Sequence, residues 1–210
     1  MKKTLNNIVF WGAIWGLAEA SLGYLLHMIE FVPGLSSVTM TCIGFFCMHQ
    51  AYKGAEKSSH VVGVAGIAAG IKLVNFLMPV STPLKVINPA VAILLEGALA
   101  FVALSIAQKD GAKFGLKEAV LFSFVWRFAF VGIQLAEMPI WAIKPLIYRG
   151  SSVALGFLLY QPLVVSLVVS GYMKLTENVK QSQLIRKISW NPAFGASALG
   201  LALVAQVIFH

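Results

Sequence analysis

The chain has 210 residues, of which 59% are hydrophobic and only 11% charged, with 16 Lys and Arg against 8 Asp and Glu. Soluble domains carry about 25% charged residues, so this composition excludes a soluble enzyme and a disordered chain, and two cysteines are too few for a disulfide scaffold. A formal charge of +8 on so apolar a chain points away from nucleic acid and towards Lys and Arg gathered in loops on one side of a bilayer.

A bilayer core takes about 20 apolar residues as a helix, and in lipid every backbone polar group must be satisfied internally. Runs of this kind predict an all-α fold: a polytopic integral membrane bundle of six to seven transmembrane helices, one domain over residues 1–210. The spans fall at roughly 5–27, 36–53, 60–80, 86–107, 117–142, 152–174 and 192–209. The first run follows Lys2 and Lys3 and contains Ala18-Glu19-Ala20, which has the A-x-A shape of a cleavage site. It continues to Leu26, so it is expected to be retained. Cys42 and Cys47 lie in the second run at a spacing that suits neither a metal knuckle nor a redox pair. Between the third and fourth runs, Met78 to Lys85 holds Pro79 and Pro83 and cannot be regular helix. It is expected to cap an outward-facing cavity. Gln181 to Trp190 interleaves Leu184, Ile185, Ile188 and Trp190 with Arg186 and Lys187, the pattern of an interfacial amphipathic helix or of a partner's docking site.

Sorting the basic residues by loop gives 11 on the side of the N-terminus against 3 on the other, Lys85, Lys144 and Arg149. This asymmetry predicts a multi-pass protein of the bacterial inner (cytoplasmic) membrane, with the N-terminus cytoplasmic and His210 outside. If the last run only lies on the surface, there are six spans and both ends are inside.

A charge near the bilayer centre costs at least about 2.5–3.5 kcal/mol on insertion scales, which makes intramembrane ionisable groups the best functional signal. Glu19, Lys72, Glu96 and Arg127 sit near the middle of the first, third, fourth and fifth spans, and Glu137 nearer the outer face of the fifth. Two acids and two bases can pair to fix helix register or can contact a ligand, and both uses stay open. Helical spacing puts Gly12, Gly16, Glu19, Gly23 and His27 on one stripe, Ala65, Ala68, Lys72 and Asn75 on another, and Ala92, Glu96, Ala100 and Ala103 on a third. Arg127, Gln134 and Glu137 climb towards an outer mouth with Trp141, Lys144, Tyr148 and Arg149, facing Tyr24, His27 and Glu30 of the first hairpin. Asn88-Pro89 and Gln161-Pro162 each remove a helical hydrogen bond and free a carbonyl. The candidate solute-binding residues are therefore Glu19, Tyr24, His27, Lys72, Asn75, Asn88, Glu96, Arg127, Gln134 and Glu137. H-E-x-x-H, G-x-S-x-G and Walker A motifs are absent from the sequence, so no catalytic residue, no metal and no other cofactor is expected.

With these spans, stripes and the outer loop, the chain resembles the substrate-binding membrane subunit, or S component, of an energy-coupling-factor transporter. The resemblance is architectural and covers most of the chain. Members of that family are compact six-helix bundles of about this length, with small-residue repeats on the first helix where the coupling subunit docks; Gly12, Gly16 and Ala20 are similar. The seventh span departs from that arrangement, and Met1-Lys2 stands where metal-transporting relatives begin Met-His, which argues against cobalt or nickel. The resemblance implies a transport component that binds a small amphipathic or anionic solute in an outward-facing cavity, with a transmembrane coupling subunit and ATPases as partners besides the lipid bilayer. Two other readings stay open. One is a non-catalytic structural subunit of a larger membrane complex; the other is a membrane enzyme acting on a lipid or isoprenoid, with Glu19 or Glu96 as general acid or base.

Overall fold

Long apolar runs, broken only by short Gly, Pro and charged connections, wind into helix almost end to end. The computed structural model describes residues 2–29, 32–55, 57–79, 82–109, 113–141 and 144–209. Among these there is no strand, and they form eight helices and one short 3-10 turn, Leu146–Arg149. These are α1 (Lys2–His27), α2 (Leu35–Ala55), α3 (Ser59–Leu77), α4 (Leu84–Lys109), α5 (Leu116–Trp141), α6 (Ser151–Thr176), α7 (Gln183–Trp190) and α8 (Pro192–Ile208). Five of them, α1, α3, α4, α5 and α6, are long and apolar enough to cross a membrane, and α7 with α8 makes a sixth candidate bent by 73°.

The exception is α2, which has the length, at 21 residues, but is diluted by Ser36, Ser37, Thr39, Thr41, His49 and Gln50. Its position accounts for this. Helices α1, α3, α4, α5 and α6 pack in that order, each on the next, and α2 fills the middle against α1, α3, α4 and α6. Its polar side chains therefore find partners inside the protein: Thr41 with Glu96, and His49 with the Tyr172 hydroxyl at 2.9 Å. Around it the fully buried Trp15, Phe45 and Phe122 form the centre of the core, the two Phe rings 5.1 Å apart.

Small residues set how closely the helices approach. A Cβ on Gly12 would lie 2.5 Å from the Ile67 Cβ, and one on Gly16 would lie 2.5 Å from the Ile71 Cδ1, so α1 seats directly on α3. Gly97 of α4 meets Ala65 of α3 in the same way. Of the two uses expected for Gly12, Gly16 and Ala20, helix packing is the one observed for the two glycines: α3 fills that stripe from within the chain, leaving no room there for a coupling subunit. Gly34, at the start of α2, has φ +83°, where any other residue is strained, and a Cβ there would meet the Gln161 side chain.

Helix α8 starts with Pro192 in its first turn, capped by the Asn191 side chain, which accepts from the Ala193 N–H at 3.0 Å. It does not lie across the end of the bundle. At its start the Asn6 Nδ2 of α1 donates to the Trp190 carbonyl at 2.9 Å, in the middle Ala198 and Ala202 pack with Ala13 and Ile71, and past its end Phe209 meets Tyr24 with ring centroids 5.7 Å apart. Thus α8 runs beside α1 for nearly the full length of both. Its 17 residues extend about 25 Å at 1.5 Å per residue.

Candidate functional site

Helix α1 leaves regular α geometry at Glu19. Residues Glu19–Gly23 form a π-type turn, which widens the helix locally and shifts the angular spacing of the side chains beyond it. Ser21 Oγ takes up a carbonyl on this turn, donating to Leu17 at 2.7 Å. As a result Glu19, Ala20, Gly23, Tyr24 and His27 all border one cavity of about 860 Å³.

Three other helices close it. α3 tightens into a 3-10 turn over Val74–Leu77 and contributes Lys72 and Asn75. α4 contributes Lys85, Val86 and Pro89 from its first turns. Pro89 has no N–H, so the Lys85 carbonyl lacks its usual helical donor beside the cavity. α8 and the residue after it supply Gln206 and Phe209, and Pro79 lies on the rim. The cavity is thus built from the C-terminal ends of α1, α3 and α8 and the N-terminal end of α4. The two ends of the proline-containing loop, Pro79 and Lys85, both reach it; residues 80 and 81, the middle of the expected cap, lie outside the described residues, as do Glu30 and His210.

The lining is chemically mixed. Glu19 and Lys72 lie within electrostatic range of each other, and His27 within that of Lys72. They do not close into a contact ion pair: among the described residues the one such pair is Lys113–Glu177, at the other end of the bundle. Asn75 and Gln206 are 5% and 2% exposed, and among the described residues neither side-chain oxygen has a hydrogen-bond partner. Buried amide oxygens are normally paired, so these two are acceptors held in reserve. Tyr24, Phe209, Val86 and Ala20 add an apolar wall. A carboxylate, two ammonium groups, an imidazole and two amides beside an aromatic pair suit a small solute with both a charged and an apolar part.

Two of the four deep charges are placed elsewhere, which corrects the expectation that all four share the chamber. Glu96 is buried behind Glu19, its Oε1 2.9 Å from the Thr41 hydroxyl, which also lies 2.8 Å from the Ser37 carbonyl. Arg127 is 0% exposed. Its Nη1 donates to the Ser123 carbonyl at 2.9 Å and its Nη2 reaches the Ser37 hydroxyl at 3.5 Å, while the guanidinium stacks 4.4 Å from the Trp126 ring and 5.6 Å from Phe157. Ser37 and Thr41 of α2 therefore bridge Glu96 to Arg127. Neither charge borders the cavity.

Three further candidates also fall outside the lining. Gln134 accepts from the Leu146 N–H at 3.1 Å and fastens the turn after α5. Glu137 is half-exposed on α5, and Asn88, though next to Pro89, is half-buried away from the cavity. Trp141, Lys144, Tyr148 and Arg149 are exposed around the α5 to α6 connection and form no common mouth with Tyr24 and His27. Lys85, Val86, Gln206 and Phe209 are additions. Gln206 had a readable signal, an amide deep in the otherwise apolar Pro192–Ile208 run.

Set against protein-family models, curated proteins and solved structures, the chain matches none. Fold and site define an all-helical bundle with a polar cavity at one end, and the cavity carries the functional inference.

Proposed function

We propose that the chain is a multi-pass protein of the bacterial inner (cytoplasmic) membrane that binds a small amphipathic or anionic solute in the cavity between α1, α3, α4 and α8, as a transport component energised by separate subunits. The observation that carries this is the cavity of about 860 Å³ with Glu19 and Lys72 side by side but not joined. Charges inside a bilayer persist where they pair or where water reaches them, and an unjoined pair bordering a cavity keeps both charges available to a solute.

The cavity lies at the end opposite the N-terminus and the lysine-rich loops, and the positive-inside rule supports reading that end as the cell exterior. Assignment as the S component of an energy-coupling-factor transporter is the more specific form of the proposal. A coupling subunit and its ATPases would then dock away from Gly12 and Gly16, which α3 occupies. The competing reading, a structural subunit of a larger complex, draws support from the Glu96, Thr41, Ser37 and Arg127 network, which is spent on the fold.

The test is purification in mild detergent followed by native mass spectrometry and a binding assay against the small molecule that travels with the protein. Glu19→Gln and Lys72→Met are expected to abolish retention while leaving the thermal midpoint close to that of the parent. Loss of stability in step with binding, or a protein that carries only other polypeptides, would return the charges to a structural role.

A further inference from the structure

The opposite end of the bundle holds a second cavity, of about 750 Å³, that the solute site does not use. Its lining comes from four places. Lys2, Lys3 and Leu5 belong to the first turn of α1, Gly54 to the last turn of α2, Lys57 and His60 to the approach and start of α3, and Trp190 to the corner where α7 bends into α8. No carboxylate is among the described residues that line it. His60 is 7% exposed and its Nδ1 has no hydrogen-bond partner among the described residues. Two helix N-termini, those of α1 and α3, meet here, and their dipoles add positive potential to three ammonium groups.

We propose that this cavity binds the phosphodiester headgroup of an anionic phospholipid on the cytoplasmic side. A soluble phosphate ester shares the headgroup's charge, but three features favour the lipid. Leu5 is 61% exposed below the lysines and continues the cavity as an apolar wall along α1. Next to it, α7 has Leu184 exposed at 66% and Ile185 at 38%, followed by Arg186 and Lys187, the surface of a helix lying in an interface. Trp190 is held between Lys3, 5.6 Å from its ring, and Arg186, at 5.1 Å, as expected of a tryptophan at headgroup level. The acyl chains would follow Leu5 while the phosphate sits among Lys2, Lys3 and Lys57. The inference depends on the bundle being membrane-embedded but not on the solute cavity, so either can fail without the other.

The full-length protein in neutral detergent is offered phosphatidylglycerol or phosphatidylcholine, and retained lipid is counted by native mass spectrometry. Phosphatidylglycerol should be retained preferentially. The variant Lys2→Gln/Lys3→Gln/Lys57→Gln should lose that preference by about tenfold or more. Lys109→Gln/Lys117→Gln/Lys174→Gln, which removes the same charge from the same end, should keep it. Equal loss in the two triple variants would overturn the site and leave diffuse attraction. Displacement of the lipid by inorganic phosphate alone would overturn the lipid assignment in favour of a soluble phosphate ester. All three site lysines are exposed, and helicity is read alongside. A second measurement stays on a near-native chain: brominated phosphatidylglycerol should quench wild-type tryptophan fluorescence more than it quenches Trp190→Phe, and equal quenching counts against the site.

Discussion

Glu19 with Lys72 and Glu96 with Arg127 are each an acid and a base carried on apolar helices, yet the protein treats the two sets in opposite ways. Neither set closes into a contact ion pair, but the first borders a cavity. The second is enclosed, bridged by Ser37 and Thr41, with the arginine sandwiched against Trp126 and Phe157. The cause is the neighbouring helix. α1 and α3 present Glu19 and Lys72 where the π-type turn opens the packing, whereas Glu96 and Arg127 face α2, whose Thr41 and Ser37 hydroxyls contact them. Depth in a membrane makes a charge costly; what lies beside it decides whether it holds the fold or waits for a ligand.

The sharpest way to break this contrast is Arg127→Leu. It leaves Glu96 buried without the guanidinium and strips Ser37 and Ser123 of their donor. Removing one member of a buried charge network costs about 3–5 kcal/mol, so most of the folded population in detergent should be lost. The double variant Glu96→Gln/Arg127→Met should recover part of that loss, because no uncompensated charge remains. The check is denaturation with sodium dodecyl sulfate in mixed micelles; a shift under about 1 kcal/mol for Arg127→Leu, the range of an exposed pair, would mean the enclosed pair is no more structural than the open one.

Next in size is the seam that brings α1 onto α3. Gly16→Leu pushes a side chain into the space already taken by Ile71, and overpacking of this kind costs about 1–3 kcal/mol. Solute retention should fall as well, since Glu19 and Lys72 are carried by those same two helices. A neutral result in the thermal midpoint would show that a coupling partner could still use this stripe. For the open pair the expectation reverses: Lys72→Met should change stability by under about 1 kcal/mol yet weaken solute binding by on the order of tenfold or more, the worth of a hydrogen bond to a charged group.

How much of this was readable in advance follows from what each signal encodes. Apolar run length gives helices, and α1, α4, α5 and α6 lie within a few residues of the spans read from sequence, their ends marked by Lys2, Pro83, Gly115 and Gly150. The grouping of Glu19, Gly23 and His27 was legible because steps of four lie on one helix face, and Lys72 with Asn75 for the same reason, whereas Tyr24, five residues after Glu19, joins them across the π-type turn. Rotation of one helix against another is not encoded in such spacing, so Glu96 and Arg127, at matching depth, could not be told from the cavity pair. Nor does spacing reveal the π-type turn or that Gln134 would be taken by the Leu146 N–H. Centrality was hidden too: α2 reads as a weak span, and its polarity makes sense only once it is seen to be surrounded.

The smallest expected effect tests a buried cavity amide that a search for ionisable groups passes over. Gln206 is 2% exposed, and its side-chain oxygen has no partner among the described residues, so its burial carries a desolvation cost that the empty fold does not recover. Gln206→Leu removes that cost while keeping the volume, and stability should hold or rise slightly. If the amide serves the solute, binding should weaken by about fivefold, the worth of one neutral hydrogen bond near 1 kcal/mol, and the effect should shrink in a Lys72→Met background, where the solute is already held less tightly. A calorimetric titration of the single and double variants reads both quantities. Weakened folding with unchanged affinity would instead make Gln206 a contact between α8 and α1, and would remove the last helix from the site.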